Sequence, residues 1–419
     1  MKITRVRIEH GDVAARLMAT VTWEASNRPP VEIYYEVPAE FASALVEDGN
    51  SFLAAAVFPA VEACEQRIVV ESYVCPRLIA GLETNLSLFS HWYGGEQRRL
   101  TIEAHGNPCD RPRAAASAAG FMTGGIDSLA TLRRNRLLFP SSHPESIRDL
   151  ICLYGINFES DDSPETFGTA IEALSGLAKQ SDASLIPVKT NARRELNPDI
   201  NFFRFKYHAA LLAAAAHALS GRVTTAFIGS SHDIPHLMRW GSHPLVDPNF
   251  GSGNLRIYHD GVEFSRFEKT KLVANWDVGL QNIRVCPANW PGTNCSRCEK
   301  CLRTMLALAA LAALDKSRSF DRRLLTEGSV RALNIFGDNQ ATFYGELIEP
   351  LRTVGRPDLA DAVRFVLAKY HGETGIRGTL KQLDRRYFHG GLQMLKRSVQ
   401  ANDESASAPR QVIQPRLFQ

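Results

Sequence analysis

From residue 118 the chain alternates short apolar runs with helical segments, and this alternation narrows the possible folds more than any other feature. "AAGFM" leads into a helix through Arg136, and "DLICLYGINF" at 149–158 is a short, almost wholly apolar strand. A helix follows at 165–180, and "SLIPVKT" is the third strand. "FRFKYHAALLAAAAHALSG" is apolar round most of its circumference, so it is a buried helix, and "VTTAFIGSS" is the fourth strand. Strands that are apolar throughout must be covered on both faces, and intervening helices return the chain to start each strand in the same direction. The expected fold class is therefore α/β, a doubly wound parallel sheet. Ligands on such sheets sit beyond the C-terminal ends of the strands. "MTGGIDS", "YGINFES" and "IGSSHD" all fall there.

The flanking regions differ from this core. Residues 1–112 mix strands ("KITRVRIEH", "VEIYYEV", "QRIVVESYV", "RRLTIEA") with helices near 39–47, 51–63 and 77–92, and read as an N-terminal α+β accessory domain. "HGNPCDRPRAAAS" at 105–117 has the composition of a linker into the central domain, 113–315. Residues 316–419 form a helical C-terminal region with turns at "GDNQ" and "GRPD" and a frayed tail. The net charge is only +3, from 48 basic and 45 acidic residues, which gives nucleic acid no electrostatic footprint. The longest apolar run, 52–64, is too short for a bilayer and contains Pro59. The N-terminus reads as a strand and not as a signal peptide, so a cytoplasmic protein that does not engage membranes is expected.

Two motifs carry chemistry. In "FMTGGIDSLATL", Gly124 and Gly125 follow a strand and precede a helix. Glycines there let successive amides point inward as an anion nest, with the helix N-terminus behind them. Thr123 or Ser128 offers a hydroxyl, and Asp127 a carboxylate suited to Mg²⁺. The plainer alternative is a tight turn in which Asp127 or Ser128 caps the helix. With no Gly-Lys pair and no GxGxxG here, Walker A and dinucleotide loops are excluded. The second motif is Cys286, Cys295, Cys298 and Cys301, four of eight cysteines within sixteen residues. Two CxxC steps and a fourth thiolate from a loop suit a tetrahedral, structural zinc ion, with Arg297, Lys300 and Arg303 softening its charge.

Together the motifs resemble the PP-loop ATP pyrophosphatase superfamily (HUP-like fold), in particular the 7-cyano-7-deazaguanine synthases and their relatives. The family's SGGxDS loop matches "TGGIDS", with Thr123 in place of Ser, and its zinc site matches "CPANWPGTNCSRCEKCLR". Its strand ending in Tyr-Gly matches "LYGINF", and its Gly-initiated substrate loop matches "IGSSHDIPHLMRWGSHPLVDPNF". The match covers roughly 118–310. It implies that Thr123, Gly124, Gly125, Asp127 and Ser128 bind ATP phosphates, that Tyr154 and Gly155 lie near the adenine, and that the four cysteines hold zinc.

The resemblance also implies adenylation. A carboxylate attacks ATP, pyrophosphate leaves, and ammonia or an amine captures the acyl-adenylate. Asp127 and Ser128 would serve the chemistry, and Lys189, Arg193, Arg194 and Lys269 are cations for phosphate or carboxylate, unless each is simply solvated. The stretch 229–260 reads as a long substrate loop with little periodicity. Ser231, His232, Arg239, Trp240, His243 and Asp247 are its candidate contacts to a carboxylate-bearing small molecule or peptide. Its histidines (His232, His236, His243, His259) would act as a general base or structure the loop. Two rivals remain at this stage: sulfur transfer, for which Cys152 in a strand is poorly placed, and a zinc-bearing binding module without turnover. A homodimer is compatible with all three.

Overall fold

The structure is a computed structural model, and it describes residues 1–94, 100–107, 116–156, 164–286 and 294–372. Among the described residues, ten strands form one sheet. In chain order they are β1 (Lys2–His10), β2 (Ala14–Thr22), β3 (Val31–Pro38), β4 (Arg67–Val70), β5 (Thr101–Ala104), β6 (Ala118–Phe121), β7 (Ile147–Tyr154), β8 (Ser184–Thr190), β9 (Thr225–Gly229) and β10 (Arg256–Asp260). Their order across the sheet is β10-β9-β6-β7-β8-β3-β2-β1-β4-β5.

The alternating region supplies the run β10-β9-β6-β7-β8, all mutually parallel. From β6 the chain moves outward through β7 to β8, then returns to place β9 on the other flank of β6. The C-terminal ends of β6 and β9 therefore border the crevice where the connections diverge. At β8 the sheet does not stop. β3 pairs with it antiparallel, Tyr35 opposite Thr190 and Glu36 opposite Lys189, and Asn191 Oδ1 accepts from the Tyr34 amide at 3.0 Å. The N-terminal strands thus continue the same sheet, and the boundary placed at 112 does not divide it.

Two cores cover the two faces. In β7, Ile151 and Leu153 join the core that holds α1 (Asn50–Glu62) and the helix His208–Ala218. Leu150 and Cys152 join the opposite core, with the helix Ile126–Leu138, the helix Glu299–Ala310 and the C-terminal helices. This burial on both sides is why the β7 sequence shows no polar alternation. α2 (Pro76–Tyr93) packs on the first core through Leu78, Leu82 and Phe89. In the C-terminal region only Gly337 of "GDNQ" lies outside the helix Asp338–Gly345, and Gly355 and Arg356 of "GRPD" precede the helix Pro357–His371, so each expected turn falls at a helix start. The tail lies outside the described residues, as does most of the 105–117 linker.

Two strands escape the sequence reading. β2, "AARLMATVT", has no β-branched or aromatic residue before Thr20 and is fixed as a strand by pairing on both sides with β1 and β3. β10, "RIYHD", ends the stretch expected to be an irregular loop, and it is set by its parallel register on β9. That stretch is accordingly shorter as a loop than its composition implied. No helix among the described residues is long and apolar enough to cross a membrane.

Candidate functional site

The glycine turn leaves β6 at its C-terminal end. Gly124 takes φ +77°, and a Cβ there would stand 2.9 Å from that of Arg284, so only glycine fits without displacement. Its carbonyl accepts from the Arg284 amide at 2.8 Å, which ties the turn to the segment leading to the cysteine cluster. Thr123 Oγ1 accepts from the Gly125 amide at 3.3 Å, and Ser128 Oγ donates to the Gly125 carbonyl at 3.0 Å. The helix that follows, α3 (Ile126–Leu138), starts from Gly125 with no side-chain cap. Neither Asp127 nor Ser128 caps it, which removes the plainer reason for finding them there. Gly229 at the end of β9 presses on this helix start: a Cβ would lie 3.0 Å from the Asp127 carbonyl oxygen.

Asp127 sits in a cationic nest. Its Oδ2 pairs with Arg266 Nη2 at 3.1 Å, whereas Asp127 Oδ1 and Arg266 Nε are buried with no hydrogen-bond partner. Arg266 opens a helix that a capping box fixes: Ser265 Oγ accepts from the Glu268 amide at 3.2 Å, and Glu268 Oε2 accepts from the Ser265 amide at 2.8 Å. One turn later comes Lys269, 3% exposed, which donates to the Ser230 carbonyl at 2.6 Å. Burial pushes the Lys269 ammonium down in pKa and Asp127 pulls it back up. Arg303, from the helix Glu299–Ala310, is likewise lowered by burial and by Arg266, and pairs with Glu299 at 3.3 Å. Lys300 and Arg204 stand within electrostatic range at the exposed edge. Asp233, Asp260 and Glu346 also interact with these cations, so the nest carries charges of both signs, with Arg266, Lys269 and Arg303 grouped round Asp127.

His232 borders the same nest. Burial pushes its pKa down to about 4, with Arg266 adding to the effect and Asp127 opposing it, so it is neutral near pH 7. Its Nδ1 is buried without a partner. The ring meets Trp240 edge-on at 5.9 Å, and Trp240 meets Phe205 at 5.1 Å. Phe205 belongs to a π-type turn, Phe203–Tyr207, that lines a cavity of about 1170 Å³ with Trp92, Tyr93, Phe202, Lys206 and Arg239. Arg239 donates to the Trp92 carbonyl and lies 5.8 Å over the Tyr93 ring. His243 is another wall residue, in edge contact with Trp92 at 4.9 Å. So the 229–245 stretch touches both the glycine turn and this groove.

The other expected site residues scatter. Asp247 is fully buried and accepts from Ser242 Oγ at 2.8 Å, the His243 amide at 2.9 Å and His259 Nδ1 at 2.7 Å, so it organises the loop from inside. Ser231, by contrast, is half-buried. Lys189 is exposed at the β8–β3 join and pairs with Glu36 at 3.1 Å, two strands from β6. Tyr154 packs its ring on Phe167 at 4.7 Å. Gly155 takes φ +95°, and a Cβ there would stand 1.9 Å from the Thr190 carbonyl oxygen. Backbone crowding thus accounts for this glycine by itself. Arg193 is buried and donates to the Ile156 carbonyl at 3.2 Å, while Arg194 pairs with Glu195 at 2.6 Å. Cys152 is fully buried and its thiol is pushed up to about 12 by desolvation, which makes it a poor nucleophile.

The cysteine cluster converges as its spacing implies. The sulfurs of Cys286, Cys295, Cys298 and Cys301 lie within 4.8 Å of one another, with Cys295–Cys301 and Cys286–Cys298 at 3.9 Å. A tetrahedron with metal–sulfur bonds of about 2.3 Å has edges of about 3.8 Å, so the donor set fits an ion such as zinc. The Cys298–Cys301 contact lowers the Cys298 thiol and raises that of Cys301, so the close-set sulfurs share protons that a bound metal would displace. Arg303 faces away from this cage, toward Glu299 and Asp127.

Arg266 is the main residue that sequence reasoning missed. Its only local signal is the Ser-x-x-Glu capping pattern before it. Arg303, expected to soften the charge of the thiolates, pairs with Glu299 instead. No family model, curated protein or solved structure matches this chain with significance.

Proposed function

We propose that the chain is an ATP-dependent ligase that adenylates a carboxylate, releases pyrophosphate and passes the acyl group to ammonia or an amine. The observation that carries this reading is the unpartnered Asp127 Oδ1, two residues beyond the Gly124–Gly125 turn and among Arg266, Lys269 and Arg303. A carboxylate oxygen and a guanidinium N–H buried without partners are costly, and a bound group that satisfies both removes the cost. The PP-loop resemblance of "TGGIDS" and the cysteine cluster points the same way.

In this reading the Gly124–Gly125 amides, Thr123 and Ser128 exchange the hydrogen bonds they make to one another for phosphate oxygens. Asp127 offers its free oxygen to Mg²⁺, which would neutralise charge on the nucleotide when bound. Arg266, Arg303 and Lys269 stabilise the negative charge that develops on departing pyrophosphate, in a buried setting where such contacts count most. Neutral His232, between this nest and the groove, can take a proton from an attacking amine. The groove walls of Trp92, Tyr93 and Arg239 would receive the carboxylate substrate. The test is pyrophosphate release from ATP and Mg²⁺ across a panel of carboxylates, with ammonia or simple amines. Release that depends on one carboxylate, with AMP formed in equal amount, supports ligation. If no carboxylate elicits release, adenylation falls and a metal-bearing binding protein is left.

A further inference from the structure

The C-terminal region supplies an aromatic side chain to this nest, beside Glu346, which interacts electrostatically with Arg266. Phe343, on the helix Asp338–Gly345, is half-buried with the Arg266 guanidinium 5.1 Å and the Arg303 guanidinium 4.9 Å from its ring centre. The His232 ring lies parallel to it at 6.3 Å with 12° between planes. Three groups from three separate segments thus share one aromatic ring. The helix that carries Phe343 is itself fixed: Tyr344 is buried and donates to Glu299 at 3.0 Å, and Asn339 Nδ2 contacts Met238 Sδ at 2.6 Å.

We infer that Phe343 is a positioning residue, which holds Arg266 and Arg303 side by side against their mutual repulsion so that both guanidiniums face the anion at the glycine turn. Two cations this close favour separating into solvent. A π-face attracts each of them, limits their rotamers and keeps water from screening them. Arg303 has Glu299 as a second anchor, but Arg266 has only Asp127 among carboxylates at ion-pairing distance in the described residues. Loss of the ring therefore frees Arg266 more than Arg303. The inference rests on the reading of the turn as a phosphate site, and it ties the C-terminal helices to anion binding as well as to packing.

The experiment measures calorimetric binding of inorganic pyrophosphate and of ATP to the full chain, with melting temperatures taken in parallel. Phe343→Leu should weaken pyrophosphate binding about tenfold, the combined value of two ring–cation contacts, and steepen its salt dependence. Phe343→Met keeps the volume without the π-face, so it should weaken binding equally while melting close to the parent. Phe343→Trp should restore the affinity. Methionine binding as well as phenylalanine, or leucine and tryptophan behaving alike, would overturn the positioning role. An unaltered chain that binds neither pyrophosphate nor ATP removes the anion site itself, and the inference with it. That result is distinct from normal binding that is insensitive to residue 343.

Discussion

A backbone hydrogen bond from Arg284 to Gly124 ties the segment leading to the cysteine cluster to the glycine turn, yet the two are built in opposite ways. All four sulfurs come from sixteen consecutive residues, and Cys298 itself is the residue from which the next helix starts. Its geometry is dictated locally, so spacing alone discloses it. The turn supplies only Thr123 to Ser128 locally. Its counter-charges arrive from positions 266, 269 and 303 on two helices, and His232 from the segment after β9 and Phe343 from a C-terminal helix stand beside them. A site written in one segment holds the chain together, whereas one assembled from many segments depends on that chain already being folded.

Breaking each region should therefore give different signatures. Cys298→Ser removes one of four ligands from a site whose binding energy is coupled to folding, and should cost several kcal/mol and most soluble protein. Metal analysis and chelator titration against melting temperature check this. Tight folding without bound metal would erase the distinction drawn above. Asp127→Asn should leave melting nearly unchanged but reduce pyrophosphate release by roughly 10²- to 10³-fold, the scale of losing one charge-directed contact at a reacting phosphate. Equal turnover by the two proteins would make Asp127 a counter-ion for Arg266 alone.

Acid should expose a further contrast between core and site. His217 is buried, binds the Phe250 carbonyl through Nε2 at 2.8 Å, and is pushed down to about 4 by burial. His232 is lowered to a similar value, again chiefly by burial. For each, the folded pKa lies below the unfolded one near 6.5, so the unfolded chain takes up the proton first as pH falls. The stability they contribute is complete above about pH 6.5 and is lost as pH drops toward 4. Between pH 7 and 5 the fully buried His217 should account for about 2 kcal/mol. His217→Gln, which retains a donor but cannot titrate, should flatten the urea-unfolding free energy over that window. His232→Gln should also change the acid limb of the rate profile, because His232 borders the nest. Identical rate profiles in both variants would separate His232 from the chemistry.

The parallel strands β6 to β9 were legible because each is a short apolar run bounded by helices, and the N-terminal strands with β-branched patterns were legible too. β2 was not, because "AARLMA" carries no strand signal ahead of Thr20–Thr22 and its neighbours impose the conformation. Nor could local pattern reveal that β3 would pair with β8, since that contact joins residues more than 150 apart. At the site, Asp127 and Lys269 could be read from motif and charge, and the structure brings them within electrostatic range. Lys189 could be read in the same way, yet the structure gives it to Glu36. A charged residue after a strand carries no record of which distant carboxylate will claim it. Asp247 looked like a ligand contact because loops favour exposed acids, and only the three donors around it explain why it is buried.

The smallest expected effect concerns the groove, and it decides whether the groove and the glycine turn serve one reaction. Arg239 meets the Trp92 carbonyl and the Tyr93 ring, and no carboxylate lies at ion-pairing distance from it among the described residues. Lys206, on the same wall, is already paired with Glu62 at 3.3 Å. Of these two cations, Arg239 is thus the one left to meet an incoming carboxylate, with aromatic walls beside it for an apolar or planar remainder. Because Arg239 is exposed, its contact would be partly screened, and Arg239→Ala should raise KM for the carboxylate about tenfold while KM for ATP and the melting temperature stay near their original values. Arg239→Lys should recover only part of the loss, since an ammonium cannot offer two parallel N–H bonds. If KM for ATP rises in step, Arg239 acts through the shared loop and not on the substrate. If neither constant moves, the groove is detached from the reaction and the carboxylate must approach the turn past His232 by another side.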